Sequence, residues 1–80
     1  MDTRTAVANR ILELCEKKGL TVHALARTSA VAPSTLKNIL GGGSRNAGIV
    51  TIKKLCDGLE ISLTEFFDTD VFRSLEQEIR

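Results

Sequence analysis

Apolar residues in the first half of the chain recur at the three- and four-residue spacing of amphipathic helices. The first such segment runs from about Thr3 to Lys18, and Gly19 follows it as a left-handed stop. A second helix is capped by Thr21 and continues to about Thr28. After a tight turn, a third helix, Pro33 to Leu40, begins with a proline whose φ suits a first helical position. The predicted inward residues of these helices are Val7, Ile11, Leu14, Cys15, Val22, Leu25, Ala26, Leu36, Ile39 and Leu40.

The second half of the chain begins with a glycine-rich polar loop, Gly41 to Gly48, which is too flexible in composition to be helical. A fourth helix is predicted from about Ile49 to Asp57, with Gly58 as its stop. A serine and a glutamate three residues apart form a capping box for a short fifth helix, Ser62 to about Phe67. The pattern therefore continues as short helices with clear boundaries.

The segment after Asp68 is open to a sixth helix, because four apolar residues in it have the spacing of one helical face. They are Val71, Phe72, Leu75 and Ile79. The sequence contains no internal repeat, no low-complexity segment and no sign of a second domain. We therefore predict one all-α domain of five to six helices over residues 1–80, with its core in 5–67 and a C-terminal helical extension over 68–80.

Composition agrees with a small globular helical domain, since 42% of the 80 residues are hydrophobic and only one is proline. No apolar run approaches the length of a membrane span, and the N-terminus lacks the apolar core of a leader, so we expect a cytoplasmic, nucleoid-associated protein. Cys15 and Cys56 lie within apolar helical patterns and are interpreted as reduced core residues, with a disulfide as the alternative. Neither has a histidine nearby, so we expect no metal site and no cofactor.

Charge is distributed unevenly along the chain, although its formal net charge is only +1. The stretch between Glu16 and Asp57 holds seven Lys or Arg and no acidic residue, a sum of +7. The remaining forty residues hold four Lys or Arg against ten Asp or Glu, a sum of −6. A surface of one sign attracts polyanions, so nucleic acid is the first partner to consider, with an ordinary solvated face as the alternative.

The short second and third helices, joined by a four-residue turn and followed by a polar loop, have the layout of a helix-turn-helix. The stretch LTVHALARTSAVAPSTLKNIL, Leu20 to Leu40, followed by Thr51 to Phe67, resembles the XRE family, the lambda-repressor and Cro-like DNA-binding domains. The resemblance covers about residues 5 to 67 and implies a lambda-repressor-like fold. Its landmarks are Leu25, Ala26, Val31, Leu36, Ile39, Gly58, Leu59, Leu63, Phe66 and Phe67.

Two residues depart from the pattern of that family. Ala30 stands in the turn where the family usually has glycine, and a Cβ at positive φ costs on the order of 1 kcal/mol. Val22 stands where the family often has a glutamine that reaches a phosphate. That contact is expected to be absent or replaced by His23 or by backbone amides.

The major groove of DNA admits one α-helix, whose N-terminal residues reach the base edges. In this geometry the hydroxyls of Ser34 and Thr35 can reach base acceptors or phosphate, Pro33 can touch a thymine methyl, and Asn38 can pair adenine in a bidentate way. Lys37 is placed to reach guanine or phosphate. The alternative for the hydroxyls is an ordinary first turn of a helix, and for the lysine a solvated side chain.

Contacts to the DNA backbone are predicted from residues around the third helix and in the loop after it. The predicted residues are His23, Lys37, Ser44, Arg45 and Asn46, with Lys53 and Lys54 as further candidates. The alternative for the histidine is an ordinary surface side chain.

Enzymatic readings find no support in the sequence. No nucleophile, base and orienting group occur at related spacing, and the glycines at 41 to 43 lack the preceding strand and the following lysine of a phosphate-binding loop. A competing class is a small protein-interaction module that uses the C-terminal apolar face. The small, polar exposed face of the third helix favours DNA binding over that alternative.

We therefore expect a transcription regulator, a repressor as the resemblance implies, that binds operator-like double-stranded DNA. A homodimer is expected because one recognition helix covers only a few base pairs, and the C-terminal apolar face is the candidate interface. That face could instead fold back on its own core. With 80 residues we also expect no ligand-sensing domain, so regulation is expected to come from abundance, dimerisation or another protein.

Overall fold

A computed structural model describes residues 1–43 and 46–79, and six helices follow one another within these two ranges. The helices are α1 (Thr3–Lys18), α2 (Val22–Thr28), α3 (Pro33–Gly41), α4 (Ile49–Leu59), α5 (Leu63–Phe67) and α6 (Asp70–Arg73). The described ranges contain no strand, so the predicted all-α class is confirmed. None of these helices is both long enough and apolar enough to cross a membrane.

The first three helices begin where the sequence predicts, and each start has a local chemical cause. The Asp2 carboxylate accepts a hydrogen bond from the Thr5 N–H at 2.9 Å, which caps α1. The Thr21 hydroxyl accepts from the Ala24 N–H at 3.0 Å and caps α2 in the same way. Pro33 occupies the first turn of α3, where its missing N–H costs no hydrogen bond.

The core is one cluster to which each of the first five helices contributes. Each of them buries one large side chain completely: Ile11, Leu25, Leu36, Leu55 and Phe66 are 0% exposed. Truncating such a residue to alanine removes apolar burial and leaves a cavity, at a cost of about 2 to 5 kcal/mol. The recognition helix predicted from the sequence is therefore held by the same core as the rest of the domain.

Both cysteines are free and buried in this core, as predicted. Cys15 lies on α1 and Cys56 on α4. Burial raises the pKa of both thiols above its ordinary value, because the apolar surroundings disfavour the thiolate. The folded domain thus keeps both sulfurs in their unreactive form.

Three helices end in the same hydrogen-bonded turn, in which a left-handed residue is followed by an apolar one. The left-handed residues are Gly19 after α1, Ala30 after α2 and Glu60 after α4, with φ of 67°, 55° and 60°. The next residues, Leu20, Val31 and Ile61, donate their N–H to a carbonyl five positions back at 2.9 to 3.0 Å. Ala30 therefore has the positive φ that the sequence predicts for the turn between α2 and α3.

The predicted end of α4 at Gly58 is wrong, because α4 continues through Gly58 to Leu59 and the left-handed residue is Glu60. Gly58 is needed for a different reason. A Cβ at this position would lie 2.0 Å from the Ser29 Oγ and 3.3 Å from its Cα. The glycine allows α4 to approach the end of α2 closely.

The predicted C-terminal helical face is also wrong in its extent. α6 has only four residues, Asp70–Arg73, so Leu75 and Ile79 lie beyond it and form no stripe with Phe72. Phe72 packs back on the core, with its ring centroid 4.9 Å from that of Phe67. For Phe72, the alternative that the C-terminal face folds back on its own core is therefore the correct one.

The chain after α6 passes along the N-terminal end of α1. The terminal ammonium of Met1 pairs with the Glu76 carboxylate at 3.2 Å, and the Thr3 N–H donates to the Glu78 carboxylate at 3.3 Å. The helical spacing failed to predict this course because the polar residues of the segment find partners at the amide end of α1.

Arg10 joins α1 to the end of α5. Its guanidinium donates to the Phe66 carbonyl at 2.8 Å and to the Glu65 carbonyl at 2.9 Å, and it pairs with Glu13. The side chain is only 10% exposed. These bonds satisfy carbonyls that a helix of five residues leaves without intrahelical donors.

We predict that Ala30→Gly and Glu60→Gly each raise the free energy of unfolding, by up to about 1 kcal/mol less the entropy that glycine adds to the unfolded chain. The reason is the positive φ of both residues. Gly19→Ala is the matched control, since it places a Cβ at φ 67° with no atom within 4 Å. It should lower stability by a similar amount. Urea unfolding measures the free energy of unfolding of all three variants. A less stable Ala30→Gly variant would show that the positive φ of Ala30 does not strain the backbone.

We predict that Gly58→Ala destabilises the domain. Alanine is the better helix former by about 1 kcal/mol, but overpacking against Ser29 costs about 1 to 3 kcal/mol. Ser29→Ala alone should be nearly neutral, because its hydroxyl is buried with no partner among the described residues. Ser29→Gly combined with Gly58→Ala should recover most of the loss in a thermal melt. Stabilisation by Gly58→Ala alone would show that the two helices separate freely.

Candidate nucleic-acid interface

α3 has two chemically different faces. Leu36 and Ile39 point into the core and are 0% and 3% exposed. The five residues predicted to contact DNA from this helix are all exposed: Pro33, Ser34, Thr35, Lys37 and Asn38. The structure therefore brings these residues together on one outer face, whose groups are a pyrrolidine ring, two hydroxyls, an ammonium and an amide.

A shallow groove separates α3 from α2 and extends the outer face toward the start of α2. It is lined by Val22, His23, Ala26, Pro33, Lys37, Leu40 and Gly41. His23 is exposed at this groove, whereas Val22 is half-buried and packs against the core. The side chain of Val22 offers no hydrogen-bond donor to a phosphate, whereas His23 beside it does.

The C-terminal end of α3 leads into the loop predicted to contact the DNA backbone. Gly42 ends the helix with φ 86°, and Asn46 is exposed. The side chain of Asn38 lies near this end, since a Cβ at Gly43 would be 3.4 Å from its Oδ1. Ser44 and Arg45, the other two predicted loop contacts, lie outside the described residues.

The basic residues around this face differ in their pairing. Within residues 1–43 and 46–79, Lys37 and Lys54 make no ion pair, whereas Lys53 pairs with Asp57 one helical turn away. An exposed pair of this kind is worth little in stability, but it partly neutralises Lys53. Lys37 and Lys54 therefore keep more of their charge for a polyanion than Lys53, and of these two only Lys37 lies on α3.

One basic residue at this face was missed from the sequence. Arg4, in the first turn of α1, is half-buried and lines a groove with Gly42 and Asn46. It lies outside the acid-free stretch, so charge counting along the chain does not select it. Only the folding of α1 against α3 brings it to the loop.

No group of three or more metal-ligating side chains occurs in the part of the chain that the structure describes. Chemical groups on the face described above are hydrogen-bond donors, acceptors and cations. Such a face can contact both the phosphates and the base edges of a nucleic acid.

Comparison with known proteins indicates DNA binding, as the chemistry of the α3 face does. Residues 10–70 match the family model of the Cro/C1-type HTH DNA-binding domain. Among curated proteins, the chain is 39% identical over 62 residues to the HTH-type transcriptional regulator SlrR of Bacillus subtilis (strain 168). The match covers 76% of this chain but only 41% of that regulator.

Three solved structures share the fold over 80% to 94% of the chain. Prophage Lp1 protein 11 superposes with a TM-score of 0.83 at 30% identity, covering 94% of this chain and 100% of that one. The wild-type restriction-modification controller protein C.Esp1396I gives a TM-score of 0.76 at 27% identity, covering 94% and 95%. An HTH_3 family transcriptional regulator from Vibrio cholerae gives 0.72 at 33% identity, covering 80% and 35%.

These matches include the α2–turn–α3 unit and confirm the resemblance to the XRE family that the sequence predicts. The family is one of DNA-binding regulators rather than of enzymes. The chain therefore belongs to the family of Cro/C1-type helix-turn-helix DNA-binding domains.

Proposed function

We propose that the chain is a sequence-specific transcription regulator that acts as a repressor, with α3 in the major groove of operator-like double-stranded DNA. The single observation that carries the proposal is the division of α3 into a buried apolar face and an exposed polar one. Named relatives support regulation, since SlrR is a transcriptional regulator and C.Esp1396I a controller protein. Repression requires only that a small domain occupy the DNA that another protein needs.

The base contacts in this proposal come from the start and middle of α3. Ser34 and Asn38 are four residues apart and share one side of the helix, with Thr35 beside them. Asn38 pairs adenine through its amide, the hydroxyls reach acceptors on base edges, and Pro33 touches a thymine methyl. Each group is exposed, so no core packing opposes its use.

The backbone contacts in this proposal come from α3 itself, from the adjoining helix α2 and from the loop after α3. Lys37 and His23 line the groove beside α2, and Asn46 lies in the loop beyond the helix. Ser44 and Arg45 are proposed for the same role from the sequence alone. Phosphate contacts fix the position of the protein on the duplex and carry no sequence information directly.

Selection of bound duplexes from random DNA tests the function in one experiment, because it measures binding and reads the site. Recovery of one enriched motif supports sequence-specific binding. Recovery of no motif, with equal weak binding to all duplexes, would reject it.

We predict that Ser34→Ala, Thr35→Ala and Asn38→Ala each relax preference at one or two base pairs, with a cost of about 1 to 3 kcal/mol for a good bidentate contact. Lys37→Ala and Arg45→Ala should weaken all sequences alike and flatten the salt dependence. Titration of selected and scrambled duplexes at several salt concentrations measures both effects.

The control for these substitutions is Gln77→Ala, which removes an exposed amide from the segment after α6 instead of from α3. It should leave affinity and preference unchanged. Equal losses on selected and scrambled DNA for all three base-contact variants would contradict the assignment of base-reading residues.

We further propose a homodimer, because a two-fold symmetric pair places two recognition helices about one helical turn apart. Since the C-terminal stripe does not form, the interface is assigned to the exposed apolar start of α4. Ile49 and Val50 are 59% and 67% exposed, and Ile49 borders a groove with Leu63 and Phe67. This patch directly follows the loop after α3 in the sequence, so a second copy bound there lies close to the DNA-contacting face.

We predict that Ile49→Asp combined with Val50→Asp gives a folded monomer with weak binding to a single half-site. Leu12→Asp, at a residue 45% exposed on α1, is the matched control and should leave the dimer intact. Phe72→Asp should instead lower stability, because Phe72 packs on the core. Sedimentation of the parent chain at micromolar concentration, with and without duplex, comes first. A monomer in both conditions would reject the dimer.

A further inference from the structure

Arg4 is carried by α1 but places its charge at the end of α3. A Cβ on Gly42 would lie 3.3 Å from the Arg4 Nη1 and 3.6 Å from its Cζ. The guanidinium therefore lies over the residue at which α3 ends, next to the loop that follows. No other side chain is interposed, because Gly42 has none.

Most of the hydrogen-bonding capacity of Arg4 is unused by the described residues. Its only side-chain hydrogen bond there runs from Nη2 to the Thr5 hydroxyl at 3.3 Å, and no carboxylate lies within ion-pair distance. A guanidinium has five N–H donors in a planar fork that matches two oxygens of a phosphate. The remaining donors border a groove that Asn46 also lines.

Two carboxylates share this groove, and both are bound to the start of α1. Asp2 accepts the Thr5 N–H, and the hydrogen bonds from Thr5, with a smaller effect from the Arg4 charge, lower the pKa of this carboxyl. Glu78 accepts the Thr3 N–H. Their charge opposes an anion in the groove, so Glu78, on the segment after α6, is expected to weaken binding there.

We propose that Arg4 is a DNA-phosphate ligand outside the helix-turn-helix, which binds the backbone beside the loop that follows α3. The proposal rests on the proposed entry of α3 into the major groove. A helix lying there is flanked by phosphates on both sides, and residues at its C-terminal end reach the backbone. Arg4 adds to that end a cation from a different helix.

The structure also accounts for Gly42 in these terms. A residue other than glycine at this position would need a backbone φ of 86°, which side chains disfavour. Its Cβ would also lie 3.3 Å from the Arg4 Nη1. Glycine keeps the fork of Arg4 at the edge of the groove. Arginine suits this position better than lysine because its fork can hold a phosphate through two parallel bonds.

The test compares the full chain with its Arg4→Ala, Arg4→Lys and Arg73→Ala variants on the selected duplex and on a scrambled one. For Arg4→Ala we expect affinity to fall about 5- to 10-fold at 0.1 M salt on both duplexes, with the salt slope lower by about 0.9. Arg4→Lys should retain part of the affinity. Arg73→Ala removes an arginine already paired with Asp68 and Asp70 and should change nothing.

Two further measurements separate a phosphate contact from a structural role. Ethylation of individual phosphates should interfere with binding of the parent chain at one position per half-site at which Arg4→Ala has become insensitive. Glu78→Gln keeps an oxygen for the Thr3 N–H but removes the opposing charge, so it should raise affinity. If Arg4→Ala unfolds, Arg4→Gln, which keeps the first three carbons of the side chain and a polar end group but not the charge, replaces it.

Parent-like affinity and an unchanged ethylation pattern for a folded Arg4 variant would overturn this proposal while leaving the proposed function intact. A loss confined to one base-pair preference would overturn it as well, since a phosphate ligand acts on all sequences alike. If the parent chain itself binds neither duplex, the proposed function fails together with this one.

Discussion

The burial of Leu36 and Ile39 is the interaction on which the DNA-binding surface depends. α3 has nine residues, too few for a helix to be stable in water by itself, so it forms because these two side chains complete the core. Their positions fix the rotation of the helix about its axis. The remaining residues of α3 are thereby held outward at fixed angles, and the outer face is free to vary in chemistry without loss of the fold.

Two further contacts restrain the helices around α3. Gly58 brings α4 against the end of α2 at Ser29, immediately before the turn into α3. Arg10 fastens α1 to the carbonyls of α5, which closes the opposite side of the core. A helix supported in this way would enter a groove, as proposed for α3, as a rigid body, so little conformational entropy would be lost on binding.

Sequence periodicity predicted α1, α2 and most of α3, because their caps and stops are local chemistry that the residues themselves define. It failed at Gly58, since a glycine that ends a helix and one that admits a neighbouring helix look alike in a sequence. It failed after α6 because Glu76 and Glu78 bind the start of α1, a contact between the two ends of the chain. Arg4 was missed for the same reason, as its place beside α3 arises only in three dimensions. The outer residues of α3 were predicted as a set, while their contacts to DNA stay predictions.

The two buried thiols can report when helices leave the core. Cys15 and Cys56 sit on different helices of one core, so a thiol reagent can reach either sulfur only when that helix leaves the core. Labelling followed cysteine by cysteine would show whether α1 and α4 open together or separately. Because a bound duplex favours the closed state by mass action, the slowing of labelling would measure DNA affinity without a dye or tag introduced beforehand.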